Sequence, residues 1–75
     1  MSSVGRLRAL LERYLELRRR LILEERRVPP TVESANRMVA KSLARAVAGD
    51  VDNAVSGLET AISLLEKSYS REVTG

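Results

Sequence analysis

The side chains that could do chemistry in this 75-residue chain are its carboxylates, its arginines and two tyrosines. The sequence contains no Cys and no His, which removes thiol nucleophiles, imidazole catalysis and the usual zinc ligands. Glu12 and Glu16 are four residues apart on a helical segment, and Arg8 and Arg20 complete this spacing as surface ion pairs. An acid–base or metal site would need inward-facing acids on several helices. We therefore expect no enzyme activity, no cofactor, no metal site and no small-molecule substrate.

The arginines raise a second possibility, because the positive charge is concentrated at one end of the chain. Residues 1–27 contain eight Arg and four Glu, whereas residues 28–75 contain five cations and six acids. Arginine binds phosphate well, but consecutive helical residues point about 100° apart, and no aromatic side chain is interleaved for base stacking. Nucleic-acid binding is therefore the alternative function, with phosphate contacts from Arg19, Arg20, Arg26 and Arg27.

The elements that must position these residues are helical, because apolar residues recur at helical spacing and nowhere alternate with period two. The first segment has a heptad pattern, and its apolar arc is wide enough to contact two neighbours. Its stripe is Leu7, Leu10, Tyr14, Leu17 and Leu21. We predict helices at about 4–27, 32–48 and 51–69.

Two short connections separate these helices, and a third signal marks the end of the last one. Pro29 and Pro30 end the first helix, and Thr31 is the predicted N-cap of the second. Gly49 suits a left-handed C-terminal position, and Asp50 suits the next N-cap. The third helix should fray after Tyr69, which lies on its apolar face, and leave residues 73–75 as a short tail.

Three amphipathic helices with short connections predict a single all-α domain, an antiparallel three-helix bundle with a long first helix. In this topology the first and third helices run roughly parallel. Asp52, Glu59 and Glu66 recur every seven residues on the third helix, and we expect them to face the arginines of the first. The predicted core is Leu10, Leu17, Val39, Leu43, Leu58, Ile62 and Leu65.

The first helix also has apolar residues outside its main stripe, which favours a contact with another protein. Leu23 projects away from the main face, and Arg18 projects into it, either with its head in solvent or paired across an interface. The candidate interface is Tyr14, Leu15, Arg18, Ile22 and Leu23. We expect a homo-oligomer, most simply a two-fold dimer, or a complex with another helical protein.

The composition also suggests where such a protein is found. No stretch approaches the roughly 20 apolar residues of a membrane span, and no signal peptide is evident, so we expect a cytoplasmic protein without a membrane partner. Eleven cations are Arg, Gln is absent and Asn is limited to two positions, a composition typical of thermophilic proteins.

The segment from Val32 to Glu66 contains Gly49-Asp50, Asn53-Ala54, Gly57-Leu58 and Leu64-Leu65 after an alanine-rich helix. This pattern resembles a group of small archaeal three-helix proteins whose domain has no assigned function. The resemblance implies an archaeal three-helix protein and no particular activity. The same hairpin also resembles one tetratricopeptide unit, which implies helical packing and protein contact.

Overall fold

The chain forms three α-helices in a computed structural model that describes the backbone of residues 2–74 and the side chains of residues 2–68. The helices are α1 (Ser3–Glu25), α2 (Pro30–Val47) and α3 (Val51–Thr74). The predicted all-α three-helix bundle is confirmed. The first helix is long, as predicted, but α3 with 24 residues exceeds its 23. The predicted end of the third helix near residue 69 is wrong, because α3 continues to Thr74 and includes two residues of the expected tail. The side chain of Tyr69 and residue 75 lie outside the described residues.

The connection between α1 and α2 differs from its prediction. The first helix ends at Glu25, and Arg26 follows in the left-handed conformation with φ 56°. The prediction of Thr31 as the N-cap is wrong, because Pro29 is the N-cap and Pro30 the first helical residue. Proline fits this position well, since its φ is already helical and its missing N–H would have no intrahelical partner. Thr31 instead lies inside α2.

The turn between α2 and α3 follows the prediction closely. Gly49 has φ +95°, in the left-handed region that favours glycine. The Gly49 N–H donates to the Ala46 carbonyl at 3.0 Å, and the Asp50 N–H donates to the Arg45 carbonyl at 2.8 Å. Asp50 then caps α3, because its carboxylate accepts from the backbone N–H of Asn53.

The third helix is the central element of the bundle. Both α1 and α2 pack mainly against α3, and they contact each other much less. Arg6 lies 3.3 Å from Glu59, and Arg13 lies 3.8 Å from Glu66. These pairs advance together along both helices, so α1 and α3 are parallel. The predicted charged seam is confirmed for Glu59 and Glu66, whereas Asp52 accepts a hydrogen bond from the Ser3 hydroxyl at 3.3 Å instead of pairing with an arginine.

The core is assembled from all three helices around the inner face of α3. Of the predicted core residues, Leu17, Val39, Leu58, Ile62 and Leu65 are buried, and Leu10 is partly buried against them. Leu43 is a wrong prediction, because 37% of it remains exposed. It lies on the side of α2 that turns away from α3, where α1 makes too few contacts to cover it.

α2 and α3 approach each other closely at Ser42 and Gly57. Ser42 is buried, and its hydroxyl donates to the Met38 carbonyl at 2.8 Å. A methyl group added to Gly57 would lie 3.2 Å from the Ser42 Cβ and would collide with its Oγ. The absence of a side chain at Gly57 therefore sets how closely the two helices pack.

Candidate protein interaction surface

The side of α1 that faces away from the bundle carries two leucines that the fold does not cover. Leu15 is 47% exposed and Leu23 is 65% exposed. With Arg8, Glu12 and Arg19 they form a line at helical spacings of four, three, four and four residues. We call these five residues the outer face of α1. All five are exposed, so this face of α1 is accessible to another molecule.

Two side chains predicted for the interface lie at the edge of this face. Ile22 is half-buried and packs against the core. Arg18 is also half-buried, and its Nε is the one buried side-chain nitrogen or oxygen without a hydrogen-bond partner in the described part of the chain. A buried donor without an acceptor costs about 1–3 kcal/mol. Because this Nε is buried within the fold, it is not accessible to an acceptor on another molecule in this conformation.

Tyr14, the remaining residue predicted for the interface, lies in the core instead. It is 2% exposed, and its hydroxyl donates to the side-chain oxygen of Asn36 on α2. Burial raises the pKa of the Tyr14 phenol above its ordinary value, and the positive charge of Arg18 opposes part of that rise. We therefore leave Tyr14 out of the interaction surface. Its partner had a sequence signal, because Asn36 interrupts the stripe formed by Val32 and Val39.

Charged side chains surround the leucines of the outer face. Glu12 lies 3.6 Å from Arg8, and Glu16 lies 2.8 Å from Arg20. Both pairs join exposed residues four positions apart, as the sequence predicts. Because they are exposed, each contributes at most about 1 kcal/mol to stability, so these charges can change partner at little cost. Arg19 has no carboxylate within 4.0 Å among the described side chains.

The arginines considered for phosphate binding are all exposed but do not form one cluster. Arg20 is already paired with Glu16, and Arg27 lies 3.8 Å from Glu25. Arg26 occupies the left-handed position after α1, so it no longer follows the helical spiral of Arg19. Two of the four side chains thus have a carboxylate beside them, which reduces the positive potential available to a phosphate.

An exposed apolar area on α2 was not predicted from the sequence. Leu43 is partly exposed and Val47 is 90% exposed, and the two are four residues apart on one side of the helix. Val4, at the N-terminal end of α1, is exposed as well. The signal was present in the regular spacing of these residues, but the pattern does not reveal which apolar residues a neighbouring helix fails to cover.

A shallow groove follows the opposite side of α2, where it meets α3. Its floor is formed by the close contact of Ser42 and Gly57, and Lys41 and Arg45 stand at its rim. The volume is about 230 Å³, slightly below the range of about 300–1,000 Å³ that is typical of small-molecule sites.

Within the described residues, no group of three or more acidic side chains is arranged to hold a metal ion. No helix in that part of the chain combines the length and the apolar character that crossing a membrane requires.

Comparison with known proteins returns no match: no family model, no curated protein and no solved structure is significantly similar to this chain.

Proposed function

We propose that this protein is a non-catalytic helical interaction module that associates with itself through the outer face of α1. The observation that carries the proposal is the exposure of Leu15 and Leu23, eight residues apart on one side of a regular helix. Single exposed leucines are common on protein surfaces. Two on one side of α1, with Arg19 between them along the outer face and half-buried Ile22 beside them, form an interrupted apolar strip that a second helix can cover. A two-fold dimer is the simplest closed assembly that buries the strip on both copies.

The expected affinity follows from the area that remains to be buried. Complete burial of a leucine side chain is worth about 1.5–3 kcal/mol. Leu15 and Leu23 are roughly half exposed, so four such side chains in a dimer contribute about 3–6 kcal/mol. Association costs at least about 4 kcal/mol of translational and rotational freedom. The surplus from the leucines alone is at most about 2 kcal/mol, which corresponds to a dissociation constant of tens of millimolar. A dimer at millimolar concentration therefore also needs the contacts of Ile22 and ion pairs between the copies.

The chemistry of the remaining side chains supports an interaction role over a catalytic one. Glu12 and Glu16 lie on exposed helix surface in ion pairs with arginines. Tyr14 uses its hydroxyl to join α1 to α2 within the core. Another helical protein with a matching apolar face is the second partner that this surface fits.

The proposal is tested by light scattering at increasing protein concentration. The expected result is a rise in mass from monomer to dimer that persists at moderate salt, because apolar burial drives it. Leu15→Glu should return the protein to a monomer, because it places a carboxylate of each copy within the apolar contact, and Ser63→Glu, on the exposed side of α3, should leave the dimer intact. A monomer at millimolar concentration would refute self-association.

The same experiment separates the alternative function, nucleic-acid binding through Arg19, Arg20, Arg26 and Arg27. Phosphate binding releases counterions, so affinity for a duplex or a single strand would fall steeply with the logarithm of salt concentration. Only Arg19 and Arg26 are without a carboxylate within 4.0 Å among the described side chains. We expect at most weak binding to nucleic acid in low salt, with no measurable binding near physiological ionic strength.

The source and location stay predictions from composition and resemblance. A thermophilic archaeal protein of the cytoplasm agrees with the arginine content and with the ion pairs between Arg6 and Glu59 and between Arg13 and Glu66. Such pairs contribute more at high temperature, because the penalty for desolvating charges falls on heating. A melting temperature in the mesophile range of about 45–65 °C would contradict a thermophilic origin.

A further inference from the structure

We infer that the partner on the outer face of α1 is a second copy in antiparallel orientation, with Leu15 beside the two-fold axis. This inference rests on the proposed self-association and goes beyond it by fixing direction and register. It is carried by the order of exposed residues along the outer face: Arg8, Glu12, Leu15, Arg19 and Leu23. In one arrangement of two copies of α1 this order places opposite charges next to each other. In two other arrangements it places like charges together.

In an antiparallel two-fold pair, positions equally distant from the axis on either side lie opposite each other. The midpoint between positions 12 and 19 is also the midpoint between positions 8 and 23, and it falls between residues 15 and 16. With the axis there, Glu12 of each copy faces Arg19 of the other. Leu23 faces the aliphatic stem of Arg8, which can cover it while the guanidinium reaches solvent. The two Leu15 side chains meet at the centre, about 1.5 Å apart along the helix direction.

The partners in this arrangement are available because the folded monomer holds them weakly. Arg19 has no carboxylate within 4.0 Å among the described side chains, and the 3.6 Å pair of Glu12 with Arg8 is exposed on both sides. Glu16 also comes near its counterpart at the axis, but Arg20 neutralises it at 2.8 Å. The dimer therefore gains two ion pairs across the interface without placing unbalanced like charges together.

The competing arrangements place like charges opposite each other. A parallel pair in register sets Glu12 against Glu12 and Arg19 against Arg19. An antiparallel pair with its axis at residue 19 brings Leu15 against Leu23 but places both Arg19 guanidinium groups on the axis. Like charges directly opposed cost affinity and disfavour the wrong partner geometry. The charge order thus selects the register centred beside Leu15.

Disulfide trapping tests this register directly, because the chain contains no cysteine of its own. A disulfide requires Cα atoms within about 7 Å. Leu15→Cys should form a disulfide-linked dimer rapidly under mild oxidation. Leu23→Cys should not, because its counterpart would lie about 22 Å away along the helix. An equimolar mixture of Arg8→Cys and Leu23→Cys should form the mixed dimer, and Ser63→Cys on α3 gives the rate of random collisions.

Charge reversal supplies an independent measurement of the same contacts. Glu12→Arg or Arg19→Glu alone should weaken dimerisation by about tenfold, because two ion pairs become two repulsions. The double variant exchanges the charges and should restore the dimer to within about twofold of the original chain. Circular dichroism of each variant verifies that the helices remain folded.

The outcomes separate this inference from the proposed function. A chain that stays monomeric refutes self-association and the register together. A dimer in which Leu23→Cys is trapped as fast as Leu15→Cys shows a parallel pair and overturns the register alone. A dimer that traps Leu15→Cys no faster than Ser63→Cys, or whose charge-reversal double variant is no better than the single variants, also overturns it. Rapid trapping at residue 15 together with charge rescue supports it.

Discussion

The close contact between Ser42 and Gly57 predicts how Gly57→Ala changes the free energy of unfolding. The size and sign of that change depend on the residue at position 42. Replacing Gly57 by Ala improves helix propensity and should by itself stabilise α3 by about 0.8–1 kcal/mol. The new methyl group, however, occupies the position of the Ser42 Oγ. The substitution can be accommodated in two ways, and both are costly.

In the first, Ser42 rotates away and gives up its 2.8 Å hydrogen bond to the Met38 carbonyl. Because Ser42 is buried, a hydroxyl left without a partner costs about 1–3 kcal/mol. In the second, α2 and α3 move apart, which costs about 1–3 kcal/mol as overpacking does elsewhere in protein cores. Gly57→Ala should therefore lower the free energy of unfolding by up to about 2 kcal/mol once the propensity gain is subtracted.

The matched background is Ser42→Ala, in which no Oγ is present to collide. There the new methyl meets only the Cβ at 3.2 Å, a tight contact that a small helix shift relieves. Gly57→Ala should then be neutral or stabilising, so its effect differs between the two backgrounds by about 1–3 kcal/mol.

Urea unfolding followed by circular dichroism at one fixed protein concentration measures all four members of this cycle. Ser63→Ala, on the exposed side of α3, is the control for a serine substitution outside the contact. If Gly57→Ala has the same effect with Ser42 and with Ala at position 42, to within about 0.5 kcal/mol, the close-contact argument is refuted.

Three other predictions concern the core, a turn and the effect of pH. Leu58→Ala should lower the free energy of unfolding by about 2–5 kcal/mol, because Leu58 is fully buried. Leu23→Ala should change the stability of the monomer by less than about 0.5 kcal/mol, because Leu23 is exposed. Chemical denaturation in dilute solution compares the two variants. Gly49→Ala should cost about 1–2 kcal/mol from its left-handed φ alone, since nothing lies within 4 Å of the added Cβ. Gly49→Asn should cost less, because asparagine adopts the left-handed region more readily than alanine. Burial raises the pKa of Tyr14 above 10.0, so its stabilising contribution is present below about pH 10 and is lost as pH rises through the folded-state value. The urea midpoint should thus fall less steeply with alkaline pH in Tyr14→Phe than in the original chain, and equal slopes would contradict this account.

The features that the sequence predicted are those determined by local spacing. Helical periodicity revealed the three helices, and the Gly49-Asp50 pair marked the turn because only certain residues suit a left-handed end and an N-cap. The seven-residue spacing of Glu59 and Glu66 was enough to predict the charged seam, since a parallel helix with arginines at positions 6 and 13 has the same repeat. These inferences needed no knowledge of distant contacts.

The features that were not predicted depend on which helix occupies the centre. Each helix has a wide apolar arc, so the pattern alone does not show that α3 contacts both neighbours while α1 and α2 remain apart. Leu43 was assigned to the core for this reason, although its side of α2 is open. Tyr14 belongs to the apolar stripe of the first helix, but the pattern did not show that Asn36 on α2 would accept from its hydroxyl and hold it in the core.

The central position of α3 has a consequence for how the chain folds as it leaves the ribosome. The hairpin of α2 and α3 is local in sequence, but the ion pair between Arg6 and Glu59 joins residues 53 positions apart. Local contacts form quickly and distant ones slowly, because a longer loop must close. Of these three helices α1 is synthesised before α3, against which it packs, so its apolar stripe stays uncovered until α3 has been made. We expect α1 to be the segment that chaperones or neighbouring nascent chains meet first.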